Sequence, residues 1–365
     1  MVDKMNIGII GCGNIAPRYV QGCSQWDVLN VVACADINSA AAAALANSTG
    51  INALRISELL ADSDIDLIIN LTVPAAHAEV SKAILSAGKH VYTEKPLAIT
   101  REDGAQILAL ADASGLRVGS APDTFLGGGL QTCRKLIDEG AIGEPVAATA
   151  FMMSSGPESW HPNPPFFYQA GAGPLFDMGP YYLTALIHLM GPIQRLTASA
   201  RISFSERVAG HESIRGLRIP VYTPTHVSGS LEFETGPIAT MVMSFDVQQH
   251  TLPRIEIYGS EGTLIVPDPN TFRGPVRLWR LNKPQWVDVP LSHSETVSRG
   301  IGVADMVHAI GTGRNHRASG RLAFHVLDNM LAMLESAETG RHIQLTTTCD
   351  QPVPLPVDLS SRVLD

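Results

Sequence analysis

Residues 5–16 read Met5-Asn6-Ile7-Gly8-Ile9-Ile10-Gly11-Cys12-Gly13-Asn14-Ile15-Ala16, and this stretch decides the fold. A short apolar run reads as a strand buried on both faces. The G-x-G-x-x-[G/A] pattern that follows it, opening a helix, is the turn by which such a strand meets a dinucleotide pyrophosphate. Gly11 permits the tight turn, Gly13 lets a phosphate approach the backbone, and Ala16 lets the helix pack close to the sheet. The helix entrance at Asn14 and Ile15 offers N–H groups and a positive dipole end. Asp36 closes the second apolar run, 25 residues after Gly11, where a carboxylate accepts ribose hydroxyls. A carboxylate there repels a 2′-phosphate, and Ile37 and Asn38 bring no arginine, so NAD is expected over NADP. Arg55, distant in sequence, could still intrude.

Working outward, short apolar runs at Met5–Ile10, Leu29–Ala35, Leu67–Leu71, His90–Thr93 and Arg117–Ser120 alternate with helical stretches. The helices are expected over Ile15–Gln21, Ser39–Asn47, Ala76–Ser86 and Arg101–Ala113, with Thr100 as an N-cap and Gly88 and Gly115 as stops. That alternation predicts a Rossmann, doubly wound parallel sheet over residues 1–122. From residue 123 to 365 the texture changes to alternating strands with hairpin turns at Thr235-Gly236-Pro237 and Gly259-Ser260-Glu261-Gly262. Helices are expected at Leu130–Glu139, Tyr181–Met190, Ile301–Ile310 and Arg321–Glu338. The fold class is therefore α/β, followed by an α+β domain with an open, mainly antiparallel sheet.

The 365 residues carry a formal net charge of −9 with 17% charged and 45% hydrophobic residues, the profile of a compact enzyme and not of a disordered chain. With no run of Lys or Arg, neither nucleic acid nor an anionic membrane is an expected partner. Five scattered cysteines without a C-x-x-C pair suggest neither zinc nor a disulfide framework, and a reducing cytoplasm fits them best. No signal peptide is read at the start, and no segment approaches the roughly 18 apolar residues of a membrane span.

Two motifs fall at strand ends, where ligands meet an open α/β sheet. Thr72 and Pro74 follow the Leu67–Leu71 run and are expected to line the ribose and nicotinamide. His77, just inside the next helix, reads either as part of that pocket or as a helix-start histidine. Glu94-Lys95-Pro96 follows the next strand. Proline ends the ladder, and a lysine desolvated beside a cationic nicotinamide loses basicity and can donate or accept a proton. Glu94 can hold Lys95 in place.

Together with Gly171-Ala172-Gly173-Pro174-Leu175-Phe176-Asp177-Met178-Gly179 and Gly259-Ser260-Glu261-Gly262-Thr263, these motifs resemble the glucose–fructose oxidoreductase / inositol dehydrogenase / MocA family in their expected order from residue 7 to about 266. The resemblance implies NAD(P)-dependent oxidoreduction of a sugar or polyol, and dimers or tetramers paired through the second-domain sheet. It makes Lys95 the catalytic lysine and Asp177 a substrate-binding or relay carboxylate. The family's signature often continues D-x-G-x-H-x-x-D; this chain has Tyr181 in place of the histidine and Thr184 in place of the second carboxylate. Tyr181 is then either a proton relay or a residue that bonds or stacks on the sugar. The loop Trp160-His161-Pro162-Asn163-Pro164-Pro165-Phe166-Phe167-Tyr168 supplies aromatic faces suited to sugar C–H surfaces, with His161 a second relay candidate. Asp123 is a further candidate for the same pocket. No catalytic metal is expected. The leading expectation is an NAD-dependent dehydrogenase; a redox-neutral cleavage of glycosides through a transient keto-sugar uses nearly the same residues. An NAD-sensing regulator without catalysis is disfavoured by the Glu94-Lys95-Pro96 turn and Asp177.

Overall fold

The computed structural model of the chain describes residues 2–357, 359 and 364. They divide into two compact units: the described residues of Met1–Gln131, Ser292–Leu327 and Pro352–Asp365, and those of Thr132–Leu291 and Asp328–Gln351.

The first unit is built on six strands: β1 (Met5–Ile10), β2 (Leu29–Ala35), β3 (Asn52–Ala53), β4 (Leu67–Asn70), β5 (His90–Thr93) and β6 (Val118–Ser120). They lie in the order β3-β2-β1-β4-β5-β6, every neighbouring pair parallel. Ile7, Ile9 and Leu67 to Ile69 have no exposed surface, as strands covered on both faces require. The strand order reverses between β1 and β4, which opens a crevice at their carboxyl ends. The connecting helices are α1 (Ala16–Cys23), α2 (Ser39–Thr49), α3 (Ile56–Ala61), α4 (Pro74–Ser86) and α5 (Arg101–Ser114). Thr100 caps α5, its Oγ1 accepting the Asp103 N–H at 3.1 Å, and Gly115 ends it at φ +65°. Sequence periodicity misses β3, which is two exposed residues, and α3, which spans six and buries only Leu59.

The packing units differ from a single division between 122 and 123. The helix Ile301–Thr312 returns to the first unit because every residue from Ile301 to Ala309 is buried and needs cover. Asp123, expected to face a substrate, is part of this return instead. Its side chain has no exposed surface, and its Oδ2 accepts the N–H groups of Gly300 and Gly302 at 2.9 and 3.2 Å. Further along that helix, fully buried Asp305 bonds Arg314 at 2.7 Å and also Arg317. Arg317 reaches the carbonyl oxygens of Val353 and Leu364 at 3.1 and 2.9 Å, which ties those two residues to the same unit.

The second unit carries α6 (Gly128–Asp138, from Thr132), β7 (Pro145–Met153), α7 (Gly173–Met190), β8 (Ile193–Arg201), β9 (Glu206–Val208), β10 (Arg218–Pro220), β11 (His226–Phe233) and β12 (Ile238–Ser244). After them come β13 (Ile255–Gly259), β14 (Gly262–Val266), β15 (Val276–Arg280), β16 (Lys283–Val289) and, beyond α8 (Ile301–Thr312) and α9 (Gly320–Thr339), β17 (Ile343–Gln344). Nine strands form a sheet in the order β16-β15-β14-β13-β7-β12-β11-β8-β17. All neighbours are antiparallel except β7 and β12, which run parallel with Ile238 opposite Ala147. Both expected hairpin turns are present, and Gly236 at φ +107° makes the first. Ala148, Ala150 and Met152 point inward from β7 under α7, while Thr149 and Phe151 alternate onto a half-exposed face. Strand β16 escapes sequence reading because Lys283 to Asp288 are all exposed and show no alternation.

Burial pushes the Asp123 carboxyl above its ordinary value of 3.8, against the pull of Arg299 and of the two glycine N–H groups. A raised folded-state pKa means that ionisation costs the folded chain more than the unfolded one. This group therefore favours the fold below its ordinary pKa, and that contribution falls away as pH rises toward the raised value. Asp123→Asn keeps an oxygen for both N–H groups and cannot ionise. Its melting temperature should change less with pH than wild type as the pH rises from about 4; parallel curves would show that Asp123 does not titrate in this window.

Candidate functional site

The β1–α1 turn follows from its glycines. Gly11 sits at φ +100°, and a Cβ there would lie 2.5 Å from the Leu71 carbonyl carbon, so the β1 and β4 ends meet only over a glycine. A Cβ on Gly13 would meet nothing within 4 Å, which leaves open space over that backbone. Helix α1 begins without a side-chain cap and with a proline in its first turn. An uncapped helix entrance beside open backbone is the cradle that a pyrophosphate needs. Asp36 is locked beside it: Oδ2 accepts the Cys12 N–H at 2.7 Å and Oδ1 the Asn38 N–H at 2.8 Å. Each oxygen keeps a further lone pair for a ligand hydroxyl. Arg55 donates from Nε to Glu58 at 2.9 Å in an i,i+3 pair, so the arginine left open by sequence has a local partner. Burial, with Cys34 and Asp36 adding to it, pushes the Cys12 thiol up to about 12, so it stays protonated at neutral pH. These residues fit a dinucleotide.

At the ends of β4 and β5, a buried network joins two loops. Asn70 accepts from the Thr72 N–H and hydroxyl at 3.2 and 2.7 Å, and donates to the His77 carbonyl and Ser81 hydroxyl, both at 3.0 Å. His77 is 1% exposed, with Nδ1 2.7 Å from the Pro96 carbonyl and Nε2 2.9 Å from the Thr72 carbonyl. The expectation that His77 touches a cofactor is thereby corrected: its ring clamps the Thr72 loop to the Lys95 loop. Only a doubly protonated ring can donate to both carbonyls. Burial pushes the His77 pKa down, while those carbonyls and Glu94 oppose it. Thr72 and Pro74 remain half-exposed at the mouth of this loop, and Pro74 starts α4.

Glu94 is 9% exposed and engaged through both oxygens. Oε2 accepts the Lys95 backbone N–H at 2.9 Å, and Oε1 accepts the hydroxyl of fully buried Tyr19, on α1, at 2.8 Å. Glu94 thus holds the Lys95 backbone in place. Lys95 itself is half-buried.

In the second unit the Gly171–Gly179 signature is the start of α7. Gly173 adopts φ +82°, and a Cβ there would meet the Pro224 carbonyl oxygen at 2.9 Å. Half-buried Asp177 and Tyr181, 5% exposed, stand four residues apart on one helix face, with Thr184 following. Gly179 turns elsewhere, against Met330 of α9, where a Cβ would lie 3.2 Å from its sulfur. The aromatic loop splits in two. Trp160 is 64% exposed and packs edge-on to His161, with ring centroids 5.3 Å apart; His161 in turn meets Phe167 at 4.9 Å. Tyr168, expected to face a sugar, has no exposed surface, and its hydroxyl bonds Glu158. Arg207 holds the same Glu158 at 3.0 Å and also bonds Asp246, so Tyr168 pins the loop from within instead of offering an exposed ring. Burial and then Glu158 push the Tyr168 phenol well above its ordinary range.

The first unit thus gathers Gly11, Gly13, Asn14, Ile15, Asp36, Thr72, Pro74 and Lys95 at the carboxyl ends of its strands. The second presents Asp177, Tyr181, Trp160 and His161. Tyr19 and Asn70 were missed by sequence reading; at helical and strand positions they look like ordinary core residues. Among the described residues no group of His, Cys, Asp or Glu could hold a metal ion, and no helix is long and apolar enough to cross a membrane.

Comparison with known proteins identifies the family. Residues 5–121 match the profile described as oxidoreductase family, NAD-binding Rossmann fold, and residues 130–265 match the GFO/IDH/MocA C-terminal domain. The chain is 30% identical to a dTDP-3,4-didehydro-2,6-dideoxy-alpha-D-glucose 3-reductase of Saccharopolyspora spinosa, over 86% of this chain and 94% of that protein. It is 26% identical to a 1,5-anhydro-D-fructose reductase of Ensifer adhaerens, over 93% and 98% of the two chains. Among solved structures, an NAD binding oxidoreductase from Klebsiella pneumoniae shares the fold with a TM-score of 0.82, at 21% identity over 94% of this chain and 99% of that one. Levoglucosan dehydrogenase in complex with NADH and L-sorbose does so with a TM-score of 0.81, at 20% identity over 94% and 99%. Two matching domains in sequence, and one relative matched nearly end to end, settle the affiliation: the chain belongs to the GFO/IDH/MocA oxidoreductase family, and its N-terminal domain is an NAD-binding Rossmann fold.

Proposed function

We propose that the protein is an NAD-dependent oxidoreductase of a sugar, polyol or sugar derivative, with Lys95 as the residue that moves the hydroxyl proton. The observation that carries the reading is the Glu94-Lys95-Pro96 turn, which holds Lys95 at the carboxyl end of β5 by the 2.9 Å bond from its backbone N–H. Nicotinamide, when bound, supplies the hydride acceptor or donor. The chain supplies the rest. Gly11, Gly13, Asn14 and Ile15 cradle the pyrophosphate, Asp36 takes the ribose hydroxyls, and Thr72 and Pro74 line the inner ribose and ring. Lys95 accepts the proton of the carbinol in oxidation and returns it in reduction, so that alkoxide character never accumulates unassisted. Asp177 orients the sugar by accepting its hydroxyls. Tyr181 joins Lys95 in proton transfer or bonds the ring directly, and Trp160 and His161 pack on its C–H face. The relatives support the substrate class, since their names include reductases of anhydrofructose and of dTDP-bound sugars.

NAD is preferred to NADP in this reading because Asp36 presents a fixed carboxylate and Arg55 is paired with Glu58. We further propose a homodimer or homotetramer paired through the second-unit sheet, whose half-exposed face carries Phe151, Val242, Ile265 and Trp279. A cytoplasmic site suits the buried free thiols of Cys23, Cys34 and Cys133.

A panel of sugars, inositols and glycosides, followed by NADH absorbance, tests the activity. A substrate should give stoichiometric NADH, and Lys95→Ala should lower its turnover by about 10²–10⁴ while NADH binding stays measurable. Near-normal turnover in Lys95→Ala would remove the assignment, and product without net NADH would indicate a redox-neutral cycle. Asp36→Ser should weaken NAD binding by about ten-fold or more and improve NADP relative to NAD. An unchanged preference would mean that the carboxylate does not read the ribose.

A further inference from the structure

Resting on that reading of Lys95, we infer that Arg299 is a positioning residue for it, acting through the buried Glu94 carboxylate. The Arg299 Nη1 lies 3.8 Å from Glu94 Oε1, with side chains 15% and 12% exposed. That oxygen also accepts the Tyr19 hydroxyl, and the other oxygen accepts the Lys95 N–H. One carboxylate thus joins three distant pieces of chain: α1, the β5 end, and the segment that precedes Ile301.

The segment is held firmly enough to act as a support. Gly22 of α1 approaches so closely that a Cβ there would lie 1.6 Å from the Arg299 carbonyl oxygen. On the other side, Gly300 at φ +103° and Gly302 donate their N–H groups to Asp123 Oδ2. Arg299 is fixed at its backbone from both directions, and its guanidinium enters a space that holds two buried carboxyl groups, Glu94 and Asp123. A buried carboxylate is stable only when its charge is met. Arg299 and Tyr19 meet that of Glu94, so Glu94 is fixed in the orientation that grips the Lys95 backbone. Removing Arg299 leaves that carboxylate to turn toward water or toward another cation, and the lysine loop moves with it.

The test compares Arg299→Gln, Arg299→Lys, Tyr19→Phe, Glu94→Gln and the Glu94→Gln/Arg299→Gln double variant. The readouts are kcat and KM with the substrate found, NADH affinity by fluorescence, and the trace-acetylation rate of Lys95 in cofactor-free protein. Acetylation is measured by peptide mass spectrometry against exposed Lys283. Arg299→Gln should lower kcat about ten-fold or more and change the Lys95 acetylation rate, with NADH affinity held within about three-fold because the α1 cradle is untouched. Arg299→Lys should recover most of both losses. In the Glu94→Gln background Arg299→Gln should add little. Wild-type kcat and Lys95 labelling in Arg299→Gln, or an equal loss with and without Glu94, would overturn the inference. If Arg299→Gln does not fold, Tyr19→Phe decides: it keeps the ring and removes one bond to Glu94, so it should lower kcat a few-fold and alter Lys95 labelling, and no change in either contradicts us. Failure of the Lys95 reading is distinguishable, because Lys95→Ala would then keep its turnover while labelling still reports whether Arg299 sets the lysine.

Discussion

Glu94 is the joint on which the first unit's chemistry depends. A carboxylate at the end of a buried parallel strand would ordinarily be costly. Here it accepts from the Lys95 N–H and from the Tyr19 hydroxyl, with Arg299 beside it. Tyr19 belongs to the helix whose entrance forms the phosphate cradle, and Lys95 to the loop proposed to do the proton chemistry. One buried group therefore joins the lysine loop to α1, and His77 ties the same loop from its other side through the Pro96 carbonyl. The lysine is held by the residues on both sides of it in sequence, which leaves little freedom in where its side chain begins.

Much of this was legible in the sequence where the constraint is local. Gly11 needs both a positive φ and the absence of a Cβ, so the turn it makes is written in residue type alone. Apart from the exposed β3, the strands of the first sheet are largely buried runs, and apolar content finds them within a residue or two. Lys95 stands out because a proline follows it at a strand end. Where exposure decides the role, sequence was a poor guide. Asp123, His77 and Tyr168 are residue types that suit a binding site, yet each has almost no exposed surface and spends its polar atoms on other parts of the chain. A carboxylate that ties two glycine N–H groups and one that meets a ligand look identical in one dimension. Tyr19 and Arg299 were invisible for a related reason: no spacing links positions 19, 94 and 299. The exposed strand β16 failed differently, since a strand without a buried face leaves no alternation to read.

The second unit shows the same economy. Asp177 and Tyr181 share a face because they are one helical turn apart, while glycine at 179 lets another face close on Met330. Arg207, Glu158 and Tyr168 form a buried support for the loop that presents Trp160 and His161. Residues that meet a ligand in the proposed function are few, and most polar side chains near them work at second hand, fixing backbone.

The central claim is that a hydride passes between nicotinamide and a sugar carbon in this protein. The most direct measurement incubates it with NADH carrying deuterium at C4 of the nicotinamide and a panel of keto-sugars, followed by mass spectrometry of the product alcohol. The account predicts one deuterium bound to the new carbinol carbon, transferred from only one of the two C4 faces. Reduced product without that deuterium, or transfer from both faces alike, would contradict it.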